Sequence, residues 1–254
     1  MTPMPISTAT RALGLVVVVA ATAFAAGCGR MPGRPGPESV EIRPDKVKNF
    51  DLLYAENCAA CHGPNGRGSA AAIGLANPVY LAIADDTMLS RATAAGVAGS
   101  LMPAFAKSAG GELTDEQVAI LVGGIRAWAR PDALGGAVAP AYAGPAGDPA
   151  RGAAVFAASC ASCHGAGGAG GPKAGSLVDG SFLGLVSDQG LRTTVIAGRP
   201  DIGHPDWRGD ASGGPLTGEQ VADVVAWLAS KRPMSPGSPY GSTPGAPDGG
   251  RTRE

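Results

Sequence analysis

Two short groups of cysteine and histidine residues carry the most specific chemistry in this chain. They read Cys58-Ala59-Ala60-Cys61-His62 and Cys160-Ala161-Ser162-Cys163-His164, and they contain four of the five cysteines and two of the three histidines. The pattern Cys-x-x-Cys-His is typical of covalent haem c attachment. The two thiols bond to the porphyrin edge, and the imidazole that follows reaches the iron. We therefore predict two covalent haem c groups, held by Cys58, Cys61, Cys160 and Cys163, with His62 and His164 as iron ligands.

Two other uses of paired cysteines fit these groups less well. A structural zinc site takes its ligands from two Cys-x-x-Cys pairs, or from one pair and spaced histidines. Here each pair is followed at once by its own histidine, and no second pair lies nearby. A thioredoxin-like redox pair needs a βαβ context, which the surroundings, rich in glycine and alanine, do not indicate.

Both groups lie at the same place in a duplicated unit. Cys58 and Cys160 are 102 positions apart, and this offset also matches residues on both sides of the motif. The matched pairs include Tyr54 with Phe156, Tyr80 with Phe182, Leu89 with Leu191, Gly96 with Gly198, and Pro103 with Pro205. After one inserted residue the match resumes at Leu113 and Leu216. The sequence therefore predicts two domains of one kind.

The repeat also indicates a second iron ligand in each domain. Met102 lies 40 residues after His62 and precedes a proline, and His204 lies 40 residues after His164, again before a proline. Thioether ligation raises the potential of a haem. We predict Met102 as the distal ligand of the first haem; Met88, the other methionine of that unit, falls on a predicted helix. For the second haem we predict His204, the alternatives being an open iron position, a lysine or water, with His204 as a polar neighbour.

Helices must position these ligands, because no alternation typical of strands persists anywhere in the chain. Helical spacing of apolar residues predicts a first helix over 45–57, and Asp148-Pro149 predicts the start of its counterpart. Short helices are predicted over 85–95 and 187–197. A last helix begins in each unit with a capping box, at Thr114 with Gln117 and at Thr217 with Gln220. The predicted fold class is all-α.

Segments rich in proline and glycine separate these units and indicate the domain boundaries. The prediction is a signal peptide over 1–27, a flexible tether over 28–44, domains over 45–130 and 148–232, a linker over 131–147, and a disordered tail over 233–254. The linker and tail lack the apolar content that packing requires. Each domain of about 85 residues can build only a small core of its own. We therefore expect the haem to complete that core and the haem-free protein to fold poorly.

The N-terminal segment predicts export. Arg11 precedes an apolar run that ends in Ala25-Ala26-Gly27-Cys28, the layout of a secretory signal peptide. It resembles a bacterial lipoprotein signal, although Ala25 stands where leucine is usual. With four cysteines assigned to haem, Cys28 is the odd one, and we predict that it carries a lipid. The alternatives are ordinary cleavage near Ala23-Phe24-Ala25 or an uncleaved anchor.

With these motifs, each unit resembles a class I c-type cytochrome domain, and the pair resembles a dihaem cytochrome c. The resemblance covers about 45–130 and 148–232. It implies a small helical fold around haem, with the terminal helices packed together near Tyr54 and Phe156. In that family a glycine in the first helix permits this close packing; Gly152 matches it, whereas Phe50 replaces it in the first unit. We therefore expect wider or differently angled packing there.

The predicted function is an exported dihaem electron carrier that passes single electrons between redox proteins on the periplasmic side of a bacterial membrane, tethered through Cys28. Two six-coordinate irons leave no open position for substrate, so no enzyme activity and no catalytic residue are predicted. A formal net charge of −1 gives no indication of nucleic-acid binding. The alternatives are an enzyme similar to a dihaem cytochrome c peroxidase and a haem subunit fixed in a respiratory complex.

Overall fold

All regular structure in the described part of the chain is helical, which confirms the predicted all-α class. The computed structural model describes residues 42–209 and 214–233. The predicted signal peptide, Cys28, most of the tether and all but the first residue of the tail lie outside the described residues. None of the described helices is both long and apolar enough to cross a membrane.

The first domain contains five α-helices around the first Cys-x-x-Cys-His group. They are α1 (Phe50–Asn57), α2 (Ala59–His62), α3 (Pro78–Ile83), α4 (Asp86–Ala95) and α5 (Asp115–Arg126). The prediction that the first helix starts at Asp45 is wrong. Asn49 caps α1, its side chain accepting a hydrogen bond from the Leu52 amide at 2.9 Å. Asp45 instead lies in a short 3₁₀-helix, Pro44–Lys46.

The second domain repeats this order. Its helices are α6 (Pro149–Ser159), α7 (Ala161–His164), α8 (Gly180–Leu185), α9 (Asp188–Ala197) and α10 (Gly218–Ala229). Asp148 caps α6, with proline in its first turn, as predicted. The capping boxes at Thr114 and Thr217 are both formed, and they start α5 and α10 at the predicted places.

The first and last helices of each domain pack together, but the glycine that permits their contact sits on a different helix in each. In the second domain a Cβ on Gly152 of α6 would lie 2.0 Å from the Asp223 carbonyl oxygen of α10. In the first domain Phe50 of α1 fills the matching place, and its ring lies where a Cβ on Gly124 of α5 would be, 2.1 Å from Phe50 Cδ2. Phe50 and Gly124 match Gly152 and Trp227 in the repeat, so large and small residues have changed places.

From Val47 onward, the described residues of both domains belong to one compact unit. Within the described residues, the buried core of the first domain is continuous with Ile196, Ala197 and Trp207 of the second. The linker over 131–147 also packs, contrary to the sequence-based expectation. Tyr142 lies against this core, and the buried Arg192 donates hydrogen bonds to the Ala141 and Tyr142 carbonyls at 2.9 and 3.0 Å. Backbone polar groups, which the linker's apolar content does not reveal, account for this attachment.

Candidate haem sites

One turn of helix brings the two cysteines and the histidine of each motif together. Cys58 ends α1, and its carbonyl accepts hydrogen bonds from the amides of Cys61 at 3.2 Å and His62 at 2.9 Å. The second motif repeats this pattern, with 3.2 and 3.0 Å. None of these four cysteines forms a disulfide with another described residue, so both pairs remain for thioether bonds to haem. Burial raises the pKa of the Cys58 and Cys160 thiols to about 11.

A glycine turn after each motif fixes the chain around the histidine. Gly63 has φ +74°, and a Cβ there would lie 2.3 Å from the Gly68 carbonyl oxygen. The Gly68 amide donates to the His62 carbonyl at 2.7 Å. Gly165 and Gly170 repeat the same turn, with a Cβ approach of 2.1 Å. A side chain at either turn would separate the histidine from the segment that follows it.

The segment that follows the glycine turn also sets the tautomer of His62. His62 Nδ1 lies 2.8 Å from the Ile73 carbonyl oxygen. A carbonyl only accepts hydrogen bonds, so Nδ1 carries the proton and Nε2 keeps a free lone pair for a metal ion. Burial lowers the pKa of His62, which favours the neutral ring that metal binding requires. His164 Nδ1 has the corresponding partner, the Gly175 carbonyl, at 3.3 Å.

The predicted distal residues lie on equivalent loops that follow α4 and α9. Gly96 and Gly198 begin the loops with φ of +72° and +67°, and a Cβ at either would lie 2.7 Å from the backbone that carries the distal residue. The first loop is closed by the Val97 amide, which donates to the Met102 carbonyl at 3.0 Å. Met102 is partly buried in this loop, whereas Met88 lies in the first turn of α4. The assignment of Met102 as ligand stays a prediction.

The two histidines of the second domain face one another. The ring centroids of His164 and His204 lie 6.0 Å apart, with the rings inclined by 51°. Two metal–imidazole bonds of about 2 Å each fit between rings at this separation. His204 Nδ1 is also buried without a hydrogen-bond partner among the described residues. The separation of the two rings alone thus fits a metal ion held between the two histidines, and the assignment of His204 as ligand stays a prediction.

The hydrogen bonds of three further residues around these sites were not predicted from the sequence. The Tyr54 hydroxyl donates to the Gly63 carbonyl at 2.9 Å, beside the first motif, and burial raises the pKa of Tyr54 to about 12. Asn77 and Arg199 form hydrogen bonds between the domains. A signal for Asn77 exists in the repeat, since it matches Asp179, which has no amide to donate.

An all-α chain with two such attachment turns defines a tandem c-type cytochrome, an electron-transfer haem protein that carries covalent haem c. More specifically, the chain belongs to the family described as cytochrome c oxidase, cbb3-type, subunit III, which matches residues 45–123 and 147–228. The two matched segments correspond to the two copies of the repeat. None of the curated proteins compared with the chain matches it. A c-type cytochrome of this kind has redox proteins as partners.

Proposed function

We propose that this chain is an exported dihaem c-type cytochrome that passes single electrons between redox proteins on the periplasmic side of a bacterial membrane. Each haem iron would supply a one-electron couple, whose potential depends on its axial ligands. The observation that carries the proposal is the pair of equivalent distal loops, which offer a thioether at Met102 and an imidazole at His204. The 6.0 Å separation of His164 and His204 supports bis-histidine ligation in the second domain.

The different ligands give the carrier a direction. Imidazole favours ferric iron relative to thioether, so the second domain holds the haem of lower potential. Because about 59 mV changes a one-electron equilibrium tenfold, a modest difference between the haems directs electrons from the second domain to the first. The electron donor then contacts the C-terminal domain, and the acceptor contacts the N-terminal, tethered domain.

A redox titration of the haem-loaded protein, followed by visible spectra, tests this proposal. The wild-type protein should show two midpoints, and His204→Met should narrow or remove their separation by raising the lower one. Met88→Ala serves as the control and should leave both midpoints unchanged. Coincident wild-type midpoints contradict the proposal. High-spin ferric haem in the wild type does so as well, and favours an enzyme with an open iron position.

The family description favours a second candidate, a haem subunit fixed in a respiratory oxidase. The two proposals differ in whether the chain leaves its partner. Membranes solubilised in mild detergent and separated on a native gel distinguish them. A fixed subunit migrates with an oxidase of high mass, whereas a free carrier migrates alone.

We further propose that Cys28 carries the lipid that tethers the protein. Its support is the run of small residues before Cys28 and the absence of a haem motif around this fifth cysteine. Two acyl chains bind a membrane stably, whereas one binds only marginally. Wild-type protein should fractionate with membranes, and Cys28→Ser should lose that behaviour. Wild-type protein found entirely in the soluble periplasmic fraction contradicts the tether.

A further inference from the structure

The loop that carries His204 is a closed unit. It begins at Gly198 and returns so that Arg199 and His204 exchange two backbone hydrogen bonds, of 3.0 and 2.9 Å. Its base is fixed where the Trp207 amide donates to the Ile196 carbonyl at 3.0 Å. The position of His204 therefore depends on the position of Arg199, its partner across the loop.

The first domain holds this loop at its start. Asn77 is buried, and its Nδ2 donates to the Ala197 carbonyl at 2.9 Å. Its Oδ1 meanwhile accepts from the Val79 and Tyr80 amides and caps α3. Asp179, the matching residue of the second domain, caps α8 in the same way, but a carboxylate has no hydrogen to donate. Asn77 thus does two things at once, and only an amide can do both.

Arg199 provides the second attachment. Its guanidinium donates to the Ser69 carbonyl of the first domain and pairs with Asp201 at 2.7 Å. The side chains of Arg199 and Asp201 are only 12% and 20% exposed, so this ion pair is largely shielded from water. Ser69 in turn donates through its hydroxyl to the Cys61 carbonyl. The His204 loop is therefore connected to the haem-attachment segment of the first domain.

The matching loop of the first domain has no counterpart of the Arg199–Asp201 ion pair. Val97 and Gly99 stand where the second domain has Arg199 and Asp201. The hydrogen bonds described for the loop around Met102 are local, between Val97, Ser100 and Met102. Arg199 and Asp201 are thus departures from the repeat within the loop that contacts the other domain. That loop is also the one that has histidine in place of methionine.

We propose that Asn77 and Arg199 are positioning residues for the second haem, through which the first domain holds His204 in place as distal ligand. The inference rests on the proposed ligation by His204. It makes the ligation of one haem depend on the contact with the other domain. A second domain without that contact would hold His204 less firmly, although its own sequence is unchanged.

The test uses the full-length protein with both haems attached and first compares two interface variants with two controls. Asn77→Asp keeps the cap of α3 but loses the donor, and Arg199→Ala removes the contact with Ser69. Asp179→Asn is the control for Asn77→Asp, because it makes the reverse substitution at the matching helix cap of the second domain. Arg208→Ala is the control for Arg199→Ala, because Arg208 forms a similar ion pair, with Asp206, on the same stretch of chain. Arg208 also lies over the Trp207 ring, 4.7 Å from its centroid, and donates to the Leu134 carbonyl of the linker at 3.5 Å, so this control is compared at His204 and not at Trp207.

Electron paramagnetic resonance of the ferric protein reports the ligands of the second haem. Asn77→Asp and Arg199→Ala should shift its low-spin signal and convert part of it to high spin. Arg199→Lys should restore part of the wild-type signal, since it keeps the charge but not the paired donors. Amide exchange at His204 and Trp207 should speed up about tenfold, which corresponds to about 1.4 kcal/mol. Exchange at Phe105, the match of Trp207, should not change in any variant, and neither control should change the signal of the second haem or the exchange at His204.

Wild-type signals in both interface variants, together with faster exchange at His204, would overturn the inference, because the loop would then be loosened without effect on the iron. Unchanged exchange in both variants would overturn it too. His204→Ala separates this failure from that of the proposed function. If His204→Ala leaves the second haem unchanged, the ligand assignment itself is wrong. The near-infrared band expected of the methionine-ligated haem shows in every variant whether the first domain is folded.

Discussion

Met102 and His204 lie at the same place in two copies of one loop, yet they offer iron different donor atoms. Both loops begin at a glycine of positive φ, Gly96 or Gly198, that lies against the returning backbone, at Met102 and Pro103 in the first loop and at Pro205 in the second. The donor atom that each loop offers to iron is set by its one distal side chain. The proximal side is the same in both, where Nδ1 of each histidine has a backbone carbonyl as its partner.

Substitution of Met102 tests the distal ligand at this scale. Met102→Ala should remove the weak near-infrared sulfur-to-iron band and lower the first haem's midpoint by on the order of 100 mV, a fraction of the about 0.8 V that axial ligands span. The second haem's midpoint should not move. Loss of the band in Met88→Ala instead would show that the repeat was aligned wrongly.

Among the elements, the paired terminal helices show how the two copies preserve a contact while their residues differ. The space between the two helices is filled by an aromatic residue in each copy. In the first domain Phe50 of the first helix faces Gly124, and in the second Trp227 of the last helix faces Gly152. The aromatic clusters follow this exchange. Tyr54 packs on Trp128 with ring centroids 5.2 Å apart, whereas Phe156 packs on Trp227 at 4.4 Å. Close packing of this kind tolerates an exchange of volume better than an addition.

Gly152→Ala tests the closeness of this contact. The new Cβ would overlap the Asp223 carbonyl at 2.0 Å, so we expect a loss of stability of about 1–3 kcal/mol. Gly123→Ala is the matched control, because Gly123 is also helical and nothing lies within 4 Å of its Cβ position. It should be neutral or stabilising by up to about 1 kcal/mol. Denaturant unfolding of the two variants, followed by circular dichroism, measures the difference; equal stabilities would show that the helices separate freely.

At the scale of the whole molecule, the two domains share buried surface. Ile196, Ala197 and Trp207 of the second domain extend the core of the first. Tyr142 of the linker and Arg192 of α9 add contacts on the same unit. We therefore expect a change in one domain to alter the stability of the other, which two independent domains on a flexible linker would not show.

Removal of one haem measures this coupling. In Cys160→Ala/Cys163→Ala the second domain lacks covalent haem, and each small core depends on its haem for apolar contact. We expect the second domain to lose helical structure and the first to unfold at a lower temperature, because it loses its shared core. Thermal unfolding followed at the absorption of the remaining haem reports the first domain alone. An unchanged unfolding temperature would show that the domains are energetically independent.

Much of the fold and site could be predicted because the relevant signals are local in sequence. A Cys-x-x-Cys-His turn, a capping box and an offset of 102 residues each depend on neighbours or on direct comparison of the two copies. Thr114 and Thr217 begin their helices as predicted, since capping uses atoms only three residues apart. The start of α1 was missed because Asn49 and Asp45 are both acceptable beginnings, and packing decided between them.

The amino-acid sequence by itself determined the helical class, the duplication and the residues able to hold haem, since bonding chemistry and helix capping act over a few residues. Only the tertiary structure decided which groups from distant positions meet. Arg126 donates to the Leu81 and Ala84 carbonyls, and Arg232 makes the corresponding bonds to Leu183 and Val186 from a position that does not match it in the repeat. The contacts of Asn77 and Arg199 with the other domain are of the same kind. In all of these contacts a side chain donates to a backbone carbonyl oxygen. Every residue has such an oxygen, so no side-chain pattern in the sequence marks the acceptor.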